Sequence, residues 1–403
     1  MMAFDINTVV AAAISRGLSH YKDQLLTTQE KADELKPKHA SILKTIEESL
    51  SHPNLRDEAV QFFLDIFPIF ERWGYWTDYI NLSNDAFSMD LPPEQQVYLH
   101  ANLGHIYLLN RNLDDSLRNL NRGLSIAEQY ELKELFGLLH LRMMNTYTKC
   151  EDYQTAQAHG QKALGYLAGK RSKTLAAAYD SLGRVALGLN NATMAEDYFW
   201  EALSLWDSLK DYTHMARSYN NLGVLFLQQK NLEYAKKCFI NSLDTLVNTA
   251  STHDKLLTMT NLGNVYYTSG EFDKAVSIYG ESVKTLEREL GNEGGWYHLR
   301  GSLTHNLGNA HLAVGNTQQA HIFLDKATTI WQQANDDLQL ANTIGTIAEA
   351  FQADEAWKLA IAHYKKALSL LEKYPSHSWA IKLTNDFTRG KKECAEQLKS
   401  IGE

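Results

Sequence analysis

The 403 residues include only six prolines and three cysteines, and each scarcity excludes something. Proline breaks helices from within, so its rarity leaves room for long uninterrupted helical segments. Cys150, Cys238 and Cys394 are odd in number and far apart, which argues against a disulfide framework and for a reducing, cytoplasmic compartment. No apolar run reaches the length of a membrane span. The short one from Val9 to Ile14 follows Asp5 rather than basic residues, unlike a secretory signal. The formal charge of −9 is spread along the chain with no acidic tail and no basic stripe, so neither nucleic acid nor an anionic membrane is expected as a partner.

Catalytic and cofactor motifs are also missing. The run from Gly165 to Gly169-Lys170 is one residue short of a phosphate-binding loop, and Arg171 stands where Ser or Thr is needed. There is no His-Glu-x-x-His and no paired Cys-x-x-Cys, and His298 and His305 have no third ligand in reach of their spacing. The stretch from Gly291 to Gly295 follows no strand and reads as a flexible joint. The chain is therefore expected to be a non-enzyme without a cofactor or metal.

A repeat is what the sequence does contain. A Leu-Gly pair returns at Leu103-Gly104, Leu182-Gly183, Leu222-Gly223, Leu262-Gly263 and Leu307-Gly308, with degenerate copies in register at Met143-Met144 and Ile347-Ala348. Successive spacings are 40, 39, 40, 40, 45 and 40 residues. Thirteen residues after each first member comes a small marker: Ser116, Ala156, Ala195, Ala235, Ala275, Ala320 or Ala360. An aromatic or Leu stands four further on in every copy except one, where Gly160 takes its place.

These offsets describe two helices. Tyr219, Leu222, Gly223 and Phe226 recur at i, i+3, i+4 and i+7 and line one helical face; Ala235, Phe239 and Ser242 line a second. Turn residues lie between them, as at Gln229-Lys230-Asn231 and Ser269-Gly270-Glu271. A mid-helix Gly costs about 1 kcal/mol against Ala, so its recurrence implies a neighbouring group too close for a Cβ. One helix pair cannot bury both its faces, so the pairs must stack.

The pattern resembles the tetratricopeptide repeat family over roughly residues 98–374, with a period about six residues longer than the usual 34. That variant is similar to the repeats of kinesin light chains, cell-polarity adaptors and bacterial peptide-sensing regulators. Gly74-Tyr75-Trp76 resembles the opening of the sensor arms of bacterial signalling ATPases. The resemblance implies an all-α, right-handed α-solenoid of about seven to eight helix pairs with helical caps. The expected layout is an amino-terminal cap over 1–53, a degenerate repeat over 54–97, the solenoid over 98–375 and a capping helix over 376–403.

In that family the first helix of each pair lines a concave groove that takes ligands. The resemblance puts Asn102, Asn221, Asn261 and Asn306 there, just before the Leu-Gly pair, and Asn145, Asn264 and Asn309 just after it, with His105 and Arg184 at the same place elsewhere. An Asn amide both donates and accepts, so a row of them suits the backbone of an extended peptide. The two-carboxylate clamp of chaperone-binding repeats is not expected, because Arg142 and Arg217 stand alone in the spacing. Trp200, between marker positions, is expected to pack under the next helix; a dimer contact is the alternative and leaves homo-oligomerisation open. The implied function is a scaffold or adaptor binding a peptide or another protein. The alternative is a ligand-responsive sensor that controls a partner enzyme in trans.

Overall fold

The computed structural model describes residues 6–25, 35–247, 249, 251–289 and 296–400. They form twenty α-helices and one short 3-10 turn at Lys36–Lys38, and no strand occurs among the described residues. The expected joint from Gly291 to Gly295 lies outside the described residues.

Helix length accounts for the long period. Within the marker-bearing segments the helices run 15 to 18 residues, and three residues join the two helices of each pair, as at 110–112, 189–191 and 229–231. The turns close in one way. At 189–191, Asn190 adopts φ 56°, its N–H donates to Leu187 O at 3.0 Å, and Asn191 N–H donates to Ala186 O at 2.8 Å. This left-handed exit satisfies carbonyls at the helix end. Asn191 Oδ1 then accepts from Met194 N–H at 3.1 Å and caps the next helix. Lys230 and Gly270, flagged as turn residues, occupy the same left-handed position with φ 59° and 79°.

The recurrent Gly explains how a pair closes. A Cβ on Gly104 would lie 2.6 Å from Leu120, one on Gly183 2.4 Å from Phe199, and one on Gly263 2.4 Å from Tyr279. In each pair the first helix gives up a side chain so that the large marker of the second can lie across its backbone. Phe199 is thereby fully buried, which contributes about 1.5–3 kcal/mol and outweighs the helix penalty of the Gly. The small markers Ser116, Ala156, Ala195, Ala235, Ala275, Ala320 and Ala360 are all fully buried.

The helices fall into two compact units, residues 1–225 with 248–250, and residues 226–247 with 251–403. In the first, the helices His39–Ser51, Arg56–Asp65, Phe67–Trp73 and Trp76–Phe87 share a core containing Phe62, Phe63, Phe70 and Tyr79. Gly74, at φ 81°, ends the helix Phe67–Trp73. Further along, the helix Lys133–Lys149 packs on both Pro93–Leu109 and Lys173–Gly188, so the first helices of successive pairs share one face.

In the second unit, Tyr297–Ala313 packs in the same way between Thr252–Thr268 and Asp337–Ala353. Its last helix, Ser378–Ser400, buries Leu383, Phe387 and Cys394 in a core shared with Tyr364. Trp200 departs from the expectation: it is 46 % exposed and not covered by a neighbouring helix. Its position between the markers turns the ring to solvent, where Nε1 donates to Glu196 Oε1 at 3.5 Å. No described helix is long and apolar enough to cross a membrane.

Candidate functional site

On the first-helix face of the first unit, each Asn or His of interest is tied to a neighbour. Asn102 is buried, and its Nδ2 donates to Tyr79 Oη at 3.0 Å. His105 Nε2 donates to Glu71 Oε1 at 3.0 Å. Asn145 Oδ1 accepts from Arg184 Nη2 at 3.3 Å, which brings together two residues from successive first helices. Asn221 Nδ2 reaches Asp180 Oδ1 at 3.4 Å.

Asp180 organises the far end of this face. It is buried, and accepts from Trp206 Nε1 at 2.7 Å and from Ser218 Oγ at 2.8 and 3.0 Å. Burial pushes its carboxyl above the usual range, although the bonds from Trp206, Ser218 and Asn221 and the charge of Arg184 pull the other way.

In the second unit an amide stands at the centre where the first has a carboxylate. Asn264 Oδ1 accepts from Tyr279 Oη at 2.6 Å and from Asn306 Nδ2 at 3.2 Å, so two candidate residues from successive pairs touch. Asn309 hydrogen-bonds Tyr267, and Asn261 is half-buried on the same helix as Asn264. His305 is buried with Nδ1 3.1 Å from Thr343 Oγ1, and Asn342 Nδ2 lies 3.3 Å from its Nε2. An amide donor at Nε2 requires a neutral ring with its proton on Nδ1. Burial holds this His down at about 4. Among the described residues no three His, Cys, Asp or Glu side chains converge as a metal would need.

Arg142 and Arg217 are not isolated. The Arg142 guanidinium lies 5.7 Å from the centre of the Phe67 ring, beside Glu71. Burial works to raise the Glu71 carboxyl, but the charge of His105, its bond to the carboxylate, and the charges of Arg142 and Arg217 outweigh it and bring it to about 2. Arg217, on the helix Tyr212–Gln228, also favours the charged form of Glu71 although the two lie far apart along the chain. Spacing along the sequence does not report which groups of distant helices act on one another, which is why these two arginines looked solitary.

Glu71, Tyr79, Asp180, Arg142 and Arg217 are the residues that reasoning on the Asn row missed. Asp180 carried a signal of its own, a carboxylate two positions before a Leu-Gly pair, where the other Leu-Gly copies have Ala101, Asn220, Thr260 or His305. Glu71 carried none, because its helix precedes the marked repeats.

The tetratricopeptide repeat family model matches residues 214–288 and 299–373. No curated protein matches the sequence. Among solved structures, a Rap protein complexed with competence and sporulation factor is similar with TM-score 0.56 at 14 % identity, over 91 % of this chain and 98 % of that one. The apo form of the quorum sensor NprR from B. thuringiensis gives TM-score 0.55 at 14 % identity, over 91 % and 100 %. A signal transduction ATPase with a tetratricopeptide repeat sensor, from Pyrococcus horikoshii, gives TM-score 0.55 at 14 % identity, over 81 % of this chain and 55 % of that one. At such identities the likeness is one of fold.

Proposed function

Taking residues 214–288 and 299–373 as tetratricopeptide repeats, we propose that this chain is an interaction module that holds an extended peptide, or an extended segment of a partner protein, on its first-helix faces. One observation carries the reading. Asn145, Asn221 and Asn306 each use one half of the amide in a bond to a neighbouring helix and leave the other half without a partner among the described residues. The internal bond fixes the orientation, and the remaining donor or acceptor is then preorganised for a peptide group. Solvated surface amides would need no such tether.

A sensor acting on a partner in trans is the second reading. It is favoured by the similar fold of a Rap protein that was solved with its factor bound and of a quorum sensor. In either case the chain works in the cytoplasm as a scaffold or regulator.

Affinity capture with mass spectrometry names the partner, and a triple change of Asn145, Asn221 and Asn306 to Ala tests the site. Three amides at about 0.5–1.5 kcal/mol each predict binding weakened roughly tenfold to a thousandfold. Asn264 is left intact because it supports the Tyr279 hydroxyl. Ala at exposed Lys237, on the second helix Leu232–Leu246, serves as control. Undiminished affinity in the triple variant moves the site away from this face.

A further inference from the structure

One position of the repeat departs from its equivalents. Three residues before the first member of each Leu-Gly pair or degenerate copy stand His100, His140, Tyr179, Tyr219, Met259, Thr304 and Ile344, and Thr304 is the smallest of them. In the first unit this side chain meets the second helix of its own pair, at the residue nineteen further on. His100 Nδ1 lies 3.0 Å from Asn119 Oδ1, His140 Nδ1 3.1 Å from His159 Nδ1, and the rings of Tyr179 and Tyr198 are 6.0 Å apart. The residue nineteen after Thr304 is Phe323, and both of these line a cavity of about 570 Å³.

The cavity lies between the second helices Phe272–Glu289 and Thr317–Gln333, against the first half of the first helix Tyr297–Ala313. Val283, Leu286, Leu303, Phe323 and Ile330 give it apolar walls. Exposed Glu287 comes from one second helix and exposed Lys326 from the other, with Lys326 Nζ 5.5 Å from the centre of the Phe323 ring. Neither joins an ion pair among the described residues, whereas Arg300, the third charged residue of the lining, already has a partner.

We propose that this cavity binds a free α-amino acid with a large apolar side chain. The side chain takes the space that Thr304 leaves beside Phe323, the carboxylate meets Lys326 and the ammonium meets Glu287. A volume in the range of small-molecule sites, apolar walls and a few polar groups at the mouth suit such a ligand. An apolar acid or an apolar amine leaves one of the two charges unanswered. The site is independent of peptide binding: Thr304 stands two positions before Asn306, about 200° round the helix and so away from the first-helix face.

The test titrates the full chain with three probes of one shape: L-phenylalanine, 3-phenylpropionate, which lacks the ammonium, and phenethylamine, which lacks the carboxylate. L-phenylalanine is expected to bind about tenfold tighter than either, the effect of one lost charge-assisted contact. Lys326→Gln should remove its advantage over phenethylamine, and Glu287→Gln its advantage over 3-phenylpropionate. Thr304→Tyr restores the side chain that Tyr179 and Tyr219 carry at this position, fills the space and should abolish binding of all three probes, with circular dichroism to check that the variant folds. Should it unfold, the two Gln variants at exposed positions decide.

Equal binding of the three probes overturns the amino-acid ligand, as does an acid or amine that binds more tightly than L-phenylalanine. Undiminished binding in folded Thr304→Tyr, or no binding of any probe to the wild-type chain, overturns the site. None of these outcomes bears on peptide binding at the first-helix faces.

Discussion

A Cβ added to Gly160 would lie 2.7 Å from Sδ of Met144, so here the small and large partners have exchanged helices relative to the next pair, where Gly183 faces Phe199. Met144 occupies the Leu-Gly position whose Gly is missing, and Gly160 the position whose aromatic is missing. The two departures from the repeat pattern compensate one another in a single contact. Leu182 of the following helix takes up the remaining space, with Cδ2 2.4 Å from that added Cβ.

This exchange predicts a contrast between two identical substitutions. In Gly160→Ala the new methyl meets the flexible ends of Met144 and Leu182, and the helix gains about 1 kcal/mol in propensity, so stability should change by less than about 1 kcal/mol. In Gly183→Ala the methyl meets the buried Phe199 ring at 2.4 Å, and overpacking should cost about 1–3 kcal/mol. Urea midpoints of the two variants check this. Equal losses would show that ring and flexible chain yield alike.

Asp180→Ala should cost about 2–4 kcal/mol, because the Trp206 indole N–H and the Ser218 hydroxyl are left buried without their acceptor. Asp180→Asn keeps an acceptor and should cost less. Denaturation followed by tryptophan fluorescence measures both. An Ala variant as stable as wild type would mean that water or a neighbour replaces the carboxylate.

Acid should weaken the second unit through His305. Its folded pKa of about 4 lies below the ordinary 6.5, so the unfolded chain takes up the proton first. The stabilising contribution is complete above about pH 6.5 and is lost as pH falls towards 4, for a total of about 3 kcal/mol. His140, also held near 4 by burial and by His159, adds to the same window from the first unit. His305→Gln should therefore flatten, not abolish, the loss of stability between pH 7 and 4 seen by calorimetry. An unchanged slope in that variant excludes His305 as a contributor.

The period, the helix pairs and the need for a close neighbour at the recurrent Gly were legible in the sequence, while the large marker as that neighbour was not. Each depends on residues within about forty positions, on helices whose 3.6-residue repeat is the same everywhere. The degenerate copies remained readable because Met143-Met144 and Ile347-Ala348 keep the register. The Asn row was legible as a row, but its bonds were not. Nothing in the spacing says that Asn145 holds Arg184, or that Asn264 joins Asn306 to Tyr279.

By itself, then, the sequence determined which residues are helical, where the turns lie and which positions face the pair's interior, because those follow from the period along one helix and across one turn. Only the tertiary structure decided that Glu71 meets His105 and feels the charge of Arg142, and that Asp180 rather than an Asn organises the far end of the first unit's face. Those meetings depend on the rotation of each pair on the one before it. That rotation is set by the summed shapes of many packed side chains, and small steps accumulated over several pairs bring together residues that no sequence period relates.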